Sequence, residues 1–327
     1  MKRASPQELA EGVRAGKRAL MGRAITLVES TRPADRDDAN TLLGLLAPHA
    51  GQAMRIGITG SPGVGKSTLI ETFGRQLTAA GHRVAVLAVD PSSGRSGGSI
   101  LGDKTRMTEL ARDPQAFIRP SPSGGTLGGV ARRTRETMTV CEAAGYDVVL
   151  VETVGVGQSE VMVAGMVDMF VVLVMPGSGD ELQGIKRGIL ELADLLVVTK
   201  ADGDALAAAR RTCQQHASAL RLIPPKTGVW TPEAMTCSAV TGEGVDRIWT
   251  QAEAFREALT AAGLWEARRK EQRVRWMWRA LEDGVREAVH LDPGVKAKLR
   301  ALEPEVRAGV RTPDEAAAIL LAAFRGG

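Results

Sequence analysis

RIGITGSPGVGKST (residues 55–68) starts as an apolar, β-branched run, breaks into glycines and ends on Lys-Ser-Thr. Gly60-Ser61-Pro62-Gly63-Val64-Gly65-Lys66-Ser67 fits the pattern GxxxxGK[ST], and the stretch from Thr68 onward, TLIETFGRQLTAAG, has helical periodicity. A glycine-rich loop between a strand and a helix lets successive backbone N–H groups converge on phosphate oxygens, and the helix N-terminus adds its positive end. Residues 60–68 are therefore expected to hold a nucleotide, with Lys66 reaching the β- and γ-phosphates and Ser67 ligating Mg²⁺.

Working outward, short apolar runs alternate with helix-period stretches: RVAVLAV, DVVLVE, DMFVVLVM and DLLVVT each lead into a loop and then a helical segment. Near-continuous apolar strands of this kind belong to a parallel sheet covered on both faces. Gly81 and Gly145 each follow a helical stretch and precede a strand, where a left-handed helix cap is expected. The fold expected is α/β, a P-loop NTPase with a mostly parallel central sheet, plus helical extensions at both ends. The expected divisions are a helical N-terminal extension at 1–53, a P-loop domain at 54–262 and a helical C-terminal arm at 263–327. The polar stretch STRPADRDDAN (residues 30–40) is read as interrupting the first helices.

Composition narrows the partners. Lys and Arg number 42 against 38 Asp and Glu, a net charge of only +4, which argues against nucleic acid. Cys141, Cys213 and Cys237 lie far apart with no zinc-ligand spacing and are read as reduced thiols. The chain start lacks a signal-peptide core, and no apolar run reaches the roughly 18 residues that span a bilayer. A cytoplasmic protein with no membrane partner is expected.

Acids stand where strands end, and strand C-termini face the ligand in open α/β sheets. Asp90 closes VAVLAVD and Glu152 closes DVVLVE; Glu152-Thr153-Val154-Gly155 has the shape of a DxxG γ-phosphate sensor with Glu replacing Asp. Asp103, in GDKTRM, completes the acidic candidates, although it could equally cap the next helix. Strand-end capping is the alternative for Asp90 and Glu152 also.

Thr199-Lys200-Ala201-Asp202 fits the base-reading NKxD element except that Thr replaces Asn. In that element the aspartate accepts from guanine N1–H and N2–H₂. Adenine offers no such donors, so Asp202 would face it as an unpaired, desolvated charge. Ser238 and Ala239, in CSAVTGEG, match the loop whose backbone supports the base, with an ordinary glycine turn as the alternative.

The blocks GITGSPGVGKST, VLAVDPSSGRSGGSILGDKTRM, FIRPSPSGGTLGGVARRTRETM, VETVGVGQSE and PGSGDELQGIKRGILELAD resemble the MeaB/ArgK family of P-loop GTPases, densely from about Met54 to Thr199. The resemblance implies a metallochaperone GTPase that attaches to a cobalamin-dependent acyl-CoA mutase, gates adenosylcobalamin delivery and protects or repairs the enzyme. It implies GTP/GDP and Mg²⁺ as ligands, with Ser67, Asp90, Asp103 and Glu152 around the metal. It further implies that Asp90, Asp103 and Glu152 rearrange around the metal during activation and that GSGDELQGIKRG is a third switch segment carrying Lys186, with an ordinary strand-to-helix connection as the alternative; together with Lys66 of the phosphate loop these are the catalytic candidates. A homodimer built partly through the C-terminal arm is also implied, in keeping with Trp265, Trp276 and Trp278 read as exposed; packing of that helix on its own domain is the alternative.

Two absences bear on mechanism. Val156, not Gln, follows Gly155, and the nearest Gln is Gln158, so unassisted hydrolysis should be slow and a partner should raise it. His49, His82, His216 and His290 are scattered, which speaks against cargo-metal binding. The rival readings are an ATP-dependent kinase of a periplasmic amino-acid transport system, against which Asp202 speaks, and a scaffold whose nucleotide is structural.

Overall fold

The computed structural model describes residues 4–89, 107–120, 127–153, 159–177 and 187–326. The chain divides into two compact units, Met1–Lys270 and Glu271–Gly327.

The first unit is organised by a seven-stranded, all-parallel sheet: β1 (Met54–Gly60), β2 (Val84–Val89), β3 (Ala116–Arg119), β4 (Val148–Thr153), β5 (Met169–Val174), β6 (Leu195–Val198) and β7 (Glu233–Thr236), in the order β3-β2-β4-β1-β5-β6-β7. β2, β4, β5 and β6 are buried along their whole length, as parallel strands with helices on both faces must be. The covered parallel sheet expected from the alternating runs is present. Gly81 and Gly145 take the left-handed conformation, φ +97° and +86°, as their positions required.

The core forms where β1 (Ile56, Ile58) meets helix Lys66–Ala79 (Leu69, Ile70, Phe73), all at most 1% exposed. Gly74 on that helix admits Leu110, whose Cδ2 would lie 2.5 Å from a Cβ there.

The N-terminal helices Pro6–Arg14, Arg18–Val28 and Arg36–Leu46 belong to the same unit. Ser5 and Glu8 form a reciprocal capping box at the first of them, 3.2 and 2.8 Å. Arg18 donates to the Ala116 carbonyl at 2.7 Å, and Glu29 takes the Arg119 guanidinium, so these helices hold the outer edge of β3.

Two details differ from the sequence reading. The third helix begins at Arg36, inside the polar stretch read as an interruption; its acids, Asp37 and Asp38, lie in the first turn, where they suit the positive helix end. β3 is an additional strand whose short AFIR run carries no alternation to mark it.

Helix Leu264–Leu291 begins in the first unit and continues in the second. At its root Trp265 is only 7% exposed and joins the core cluster, contrary to its reading as an exposed aromatic. Guanidinium groups explain it: Arg269 stands 4.7 Å and Arg256 5.5 Å from the indole centroid, satisfying the ring by cation–π contact inside the fold. In the second unit, helices Pro293–Arg307 and Pro313–Arg325 start on Asp292 and Thr312, which accept from Val295 N–H (2.8 Å) and Glu315 N–H (3.2 Å). Val274, Met277, Trp278, Leu281 and Val285 are exposed along the preceding helix, and Trp276 is half-buried. Among the described residues, no helix is long and apolar enough to cross a membrane.

Candidate nucleotide site

The C-terminal ends of β1, β4, β6 and β7 bring the described candidate residues together. β1 ends on Gly60, where a Cβ would lie 2.8 Å from the Leu173 carbonyl oxygen and 2.9 Å from Val64, so the loop can leave the sheet only through glycine. Ser61 and Pro62 carry it outward; Gly63 and Gly65 hold φ +80° and +97°, conformations that L side chains avoid. Val64 between them is fully buried and anchors the loop. Lys66 opens the helix, and Ser67 and Thr68 complete its first turn.

Lys66 Nζ folds back over this loop, donating to the carbonyls of Gly60 (2.7 Å) and Ser61 (3.3 Å). Burial lowers its pKa from the ordinary 10.5, and the Glu152 and Glu160 carboxylates work in the opposite direction. This half-buried ammonium is bonded to neutral carbonyls, and phosphate oxygens would supply it with negative charge at hydrogen-bond distance.

Glu152, the penultimate residue of β4, is 3% exposed and accepts from the Ser67 hydroxyl at 3.1 Å. Behind them Thr153 donates to Thr59 at 2.8 Å, tying β4 to β1 beneath the loop. The Ser67 and Glu152 oxygens are hard donors suited to Mg²⁺, which takes few protein ligands and completes its octahedron with phosphate and water. Among the described residues no cluster of three or more His, Cys, Asp or Glu forms an all-protein metal cage. The two oxygens present at the loop fit a nucleotide-bound Mg²⁺.

On the base side, Thr199 donates to the Val64 carbonyl at 2.7 Å, its hydroxyl also lying 3.3 Å from the Val174 carbonyl oxygen. The Thr that replaces the usual Asn thus fastens the phosphate loop to the end of β6. Lys200 is, among the described residues, the non-glycine residue with positive φ, +55°, and its ammonium meets the Met175 sulfur at 3.9 Å. Asp202 accepts from the Ser238 hydroxyl, which itself accepts from Thr241 N–H at 3.1 Å. The Asp202 carboxylate is thereby oriented by a fully buried serine. The Ala239 carbonyl is fixed by Thr72 from the phosphate-loop helix, 2.8 Å.

Asp90, Asp103, Gly155 and Lys186 lie outside the described residues, as does Gln158. Sequence reasoning missed the Thr59–Thr153 and Thr72–Ala239 links and buried Glu160, 2% exposed. Threonines closing adjacent apolar strands were the available signal for the first pair; the others depend on tertiary packing. Cys237, just before Ser238, is buried with its thiol pushed up to about 12, and buried Cys141 is shifted the same way, so neither is a reactive thiolate.

Comparison with known proteins follows the same lines. The profile of the family described as "Methylmalonyl Co-A mutase-associated GTPase MeaB" matches residues 21–293. The mouse protein "Methylmalonic aciduria type A homolog, mitochondrial" is 49% identical over 96% of this chain and 78% of its own length. "GTPase ArgK" of Escherichia coli is 50% identical over 85% of each chain. A solved structure titled "Crystal structure of LAO/AO transport system kinase" superposes with TM-score 0.76 at 38% identity, covering 99% of both chains.

Proposed function

This chain belongs to the MeaB family of methylmalonyl-CoA mutase-associated GTPases, and from that premise we propose that it is the Mg²⁺-dependent chaperone that gates adenosylcobalamin loading of a cobalamin-dependent acyl-CoA mutase, and its protection or repair. The client is methylmalonyl-CoA mutase or a related isobutyryl- or hydroxyisobutyryl-CoA enzyme. The protein hydrolyses GTP. The observation that carries the reading is the convergence of a phosphate loop, an oriented Asp202 and the Ser67–Glu152 pair at one end of the sheet.

In this reading the loop N–H groups and Lys66 bind the phosphates and stabilise charge as water attacks the γ-phosphorus in line. Ser67 and Glu152 would hold Mg²⁺, which when bound would offset the negative charge of the phosphates. Asp90, Asp103 and Lys186 enter as the resemblance implies, Asp90 and Asp103 at the metal and Lys186 from the third switch. Lys200 packs its stem along guanine while Asp202 accepts from the base edge. With no Gln beside Gly155, the mutase supplies the missing catalytic contribution by reshaping residues 177–188.

A homodimer also belongs to the proposal. Val274, Trp278, Leu281 and Val285 recur at steps of four, three and four along one exposed helix, the spacing of a helix-pairing seam. A cytoplasmic location completes the reading.

The deciding experiment is phosphate release from GTP and from ATP, each with and without a cobalamin-dependent acyl-CoA mutase from the same source. Slow GTP turnover accelerated by the mutase, with ATP inert, is the expected result. Equal use of ATP with no response to the mutase would sink the proposal and restore the transport-kinase alternative.

A further inference from the structure

Three strands of the sheet open on an aspartate with the same local task. Asp147 accepts the N–H of Arg83 at 2.7 Å, Asp168 that of Arg55 at 2.9 Å, and Asp194 that of Phe170 at 2.9 Å. Two of these carboxylates are also covered by organic cations from the chain. Arg269 grips Asp168 with two bonds of 2.9 and 2.6 Å, and Lys226 reaches Asp194 at 2.8 Å with Arg268 at 3.9 Å. Both aspartate side chains are 3% exposed.

Asp147 departs from its siblings. Its side chain is 52% exposed, its second oxygen meets His82 Nδ1 at 2.7 Å, and it lines a pocket of about 650 Å³. Trp249, meeting the His82 ring edge-on at 4.7 Å between centroids, forms the aromatic wall. Glu253 and Glu257, one helical turn apart, add two further carboxylates. Against these three acids stands a single lining arginine, Arg256, whose guanidinium lies over Trp265.

We propose that this pocket binds an organic cation, a guanidinium or primary ammonium group carried on an apolar chain, with its head on Asp147 and its body against Trp249. The volume falls in the range of small-molecule sites, and an indole beside carboxylates suits such a cation and its apolar chain. The chemical class comes from the molecule itself, since the equivalent carboxylates already hold guanidinium and ammonium groups. Met54, the first residue of β1, lines the pocket, whereas the phosphate loop leaves the other end of that strand, roughly 20 Å away. The proposal is therefore independent of the nucleotide reading.

Calorimetric titration of the full chain with n-butylguanidinium, n-butylammonium and neutral n-butanol tests it. Saturable one-to-one binding of the cations below about 1 mM is expected, with none of the alcohol and no change on adding GDP. Asp147→Asn keeps an acceptor for Arg83 N–H while removing the charge. It should weaken binding at least about tenfold, as should Glu253→Gln with Glu257→Gln on the exposed helix face, which leaves the core untouched. Absence of saturable binding, or equal binding by Asp147→Asn, overturns the site. A blocked Gly-Arg-Gly peptide separates the sources within a positive result: if it binds alike, the ligand is a side chain presented by a protein; if it is refused, a free small cation.

Discussion

The Ser67 hydroxyl donates to Glu152 across 3.1 Å, joining the first turn of the phosphate-loop helix to the last residues of β4. A charge-assisted bond of this kind is worth about 1.5–3 kcal/mol. Glu152→Gln keeps the size and loses the charge, so GTP turnover should fall roughly 10- to 150-fold and half-maximal activity should need more Mg²⁺. Phosphate release measured against Mg²⁺ concentration checks this; an unchanged Mg²⁺ requirement would remove Glu152 from the metal site.

Lys66 carries a pH signature. Because burial holds its pKa below 10.5, the unfolded chain binds more protons than the folded one between the folded value and 10.5, and the penalty for charging is full below that window. Stability of the nucleotide-free protein should therefore rise with pH as 10.5 is approached from below, and Lys66→Met should flatten that rise. Denaturant unfolding across the alkaline range measures it. The same variant should also lose mutase-stimulated GTP hydrolysis, which a purely structural nucleotide would not require.

Asp202→Asn exchanges an acceptor for a side chain that can donate. Guanine affinity should drop by about 10²-fold or more as the N–H donors of the base lose their partner, and xanthine nucleotides, which carry a carbonyl at that edge, should gain. Competition between GTP and XTP for a fluorescent guanine nucleotide reads the switch; retained guanine preference would displace Asp202 from base recognition.

Arg269 is 3% exposed and bonds both Asp168 oxygens and the Ala53 carbonyl. Arg269→Ala strands a buried carboxylate, and a loss of about 3–5 kcal/mol is expected, whereas removing both charges together with apolar residues of similar volume should cost much less. Equilibrium urea unfolding distinguishes the two.

The proposed helix seam gives an association test. Trp278→Glu with Leu281→Glu places charges at two exposed positions, so helix content should be kept while a dimer shifts to monomer. Sedimentation velocity across a concentration series decides; a wild-type chain monomeric throughout would dismiss the seam.

Much of the sheet and the loop was legible because local chemistry dictates them. Continuous Val-Leu runs cannot be exposed, and Gly63 and Gly65 occupy backbone angles that side chains resist. The hidden parts are those in which distant residues decide. Trp265 read as surface because its neighbours in sequence are charged, yet Arg256 and Arg269 are the groups that bury it. β3 is four residues long and earns its place only by pairing with β2. The strand-opening aspartates were in plain view in DVVLVE, DMFVVLVM and DLLVVT, but their partners are backbone amides of other strands, which no single run displays.

Those aspartates also answer a question of alignment. A strand apolar on both faces can slide past its neighbour by one or two residues and still bury oil against oil, so burial alone cannot choose among offsets. Here the first matched pairs are Val84 with Val148, Ile56 with Met169 and Val171 with Leu195, and each aspartate stands one residue ahead, on the amide directly across. A slipped strand would leave a carboxylate and an amide unsatisfied at the sheet's end. The phosphate loop and Asp202 leave the far ends of strands indexed in this way, so an acid at one edge of the sheet sets the atomic alignment of the site at the other.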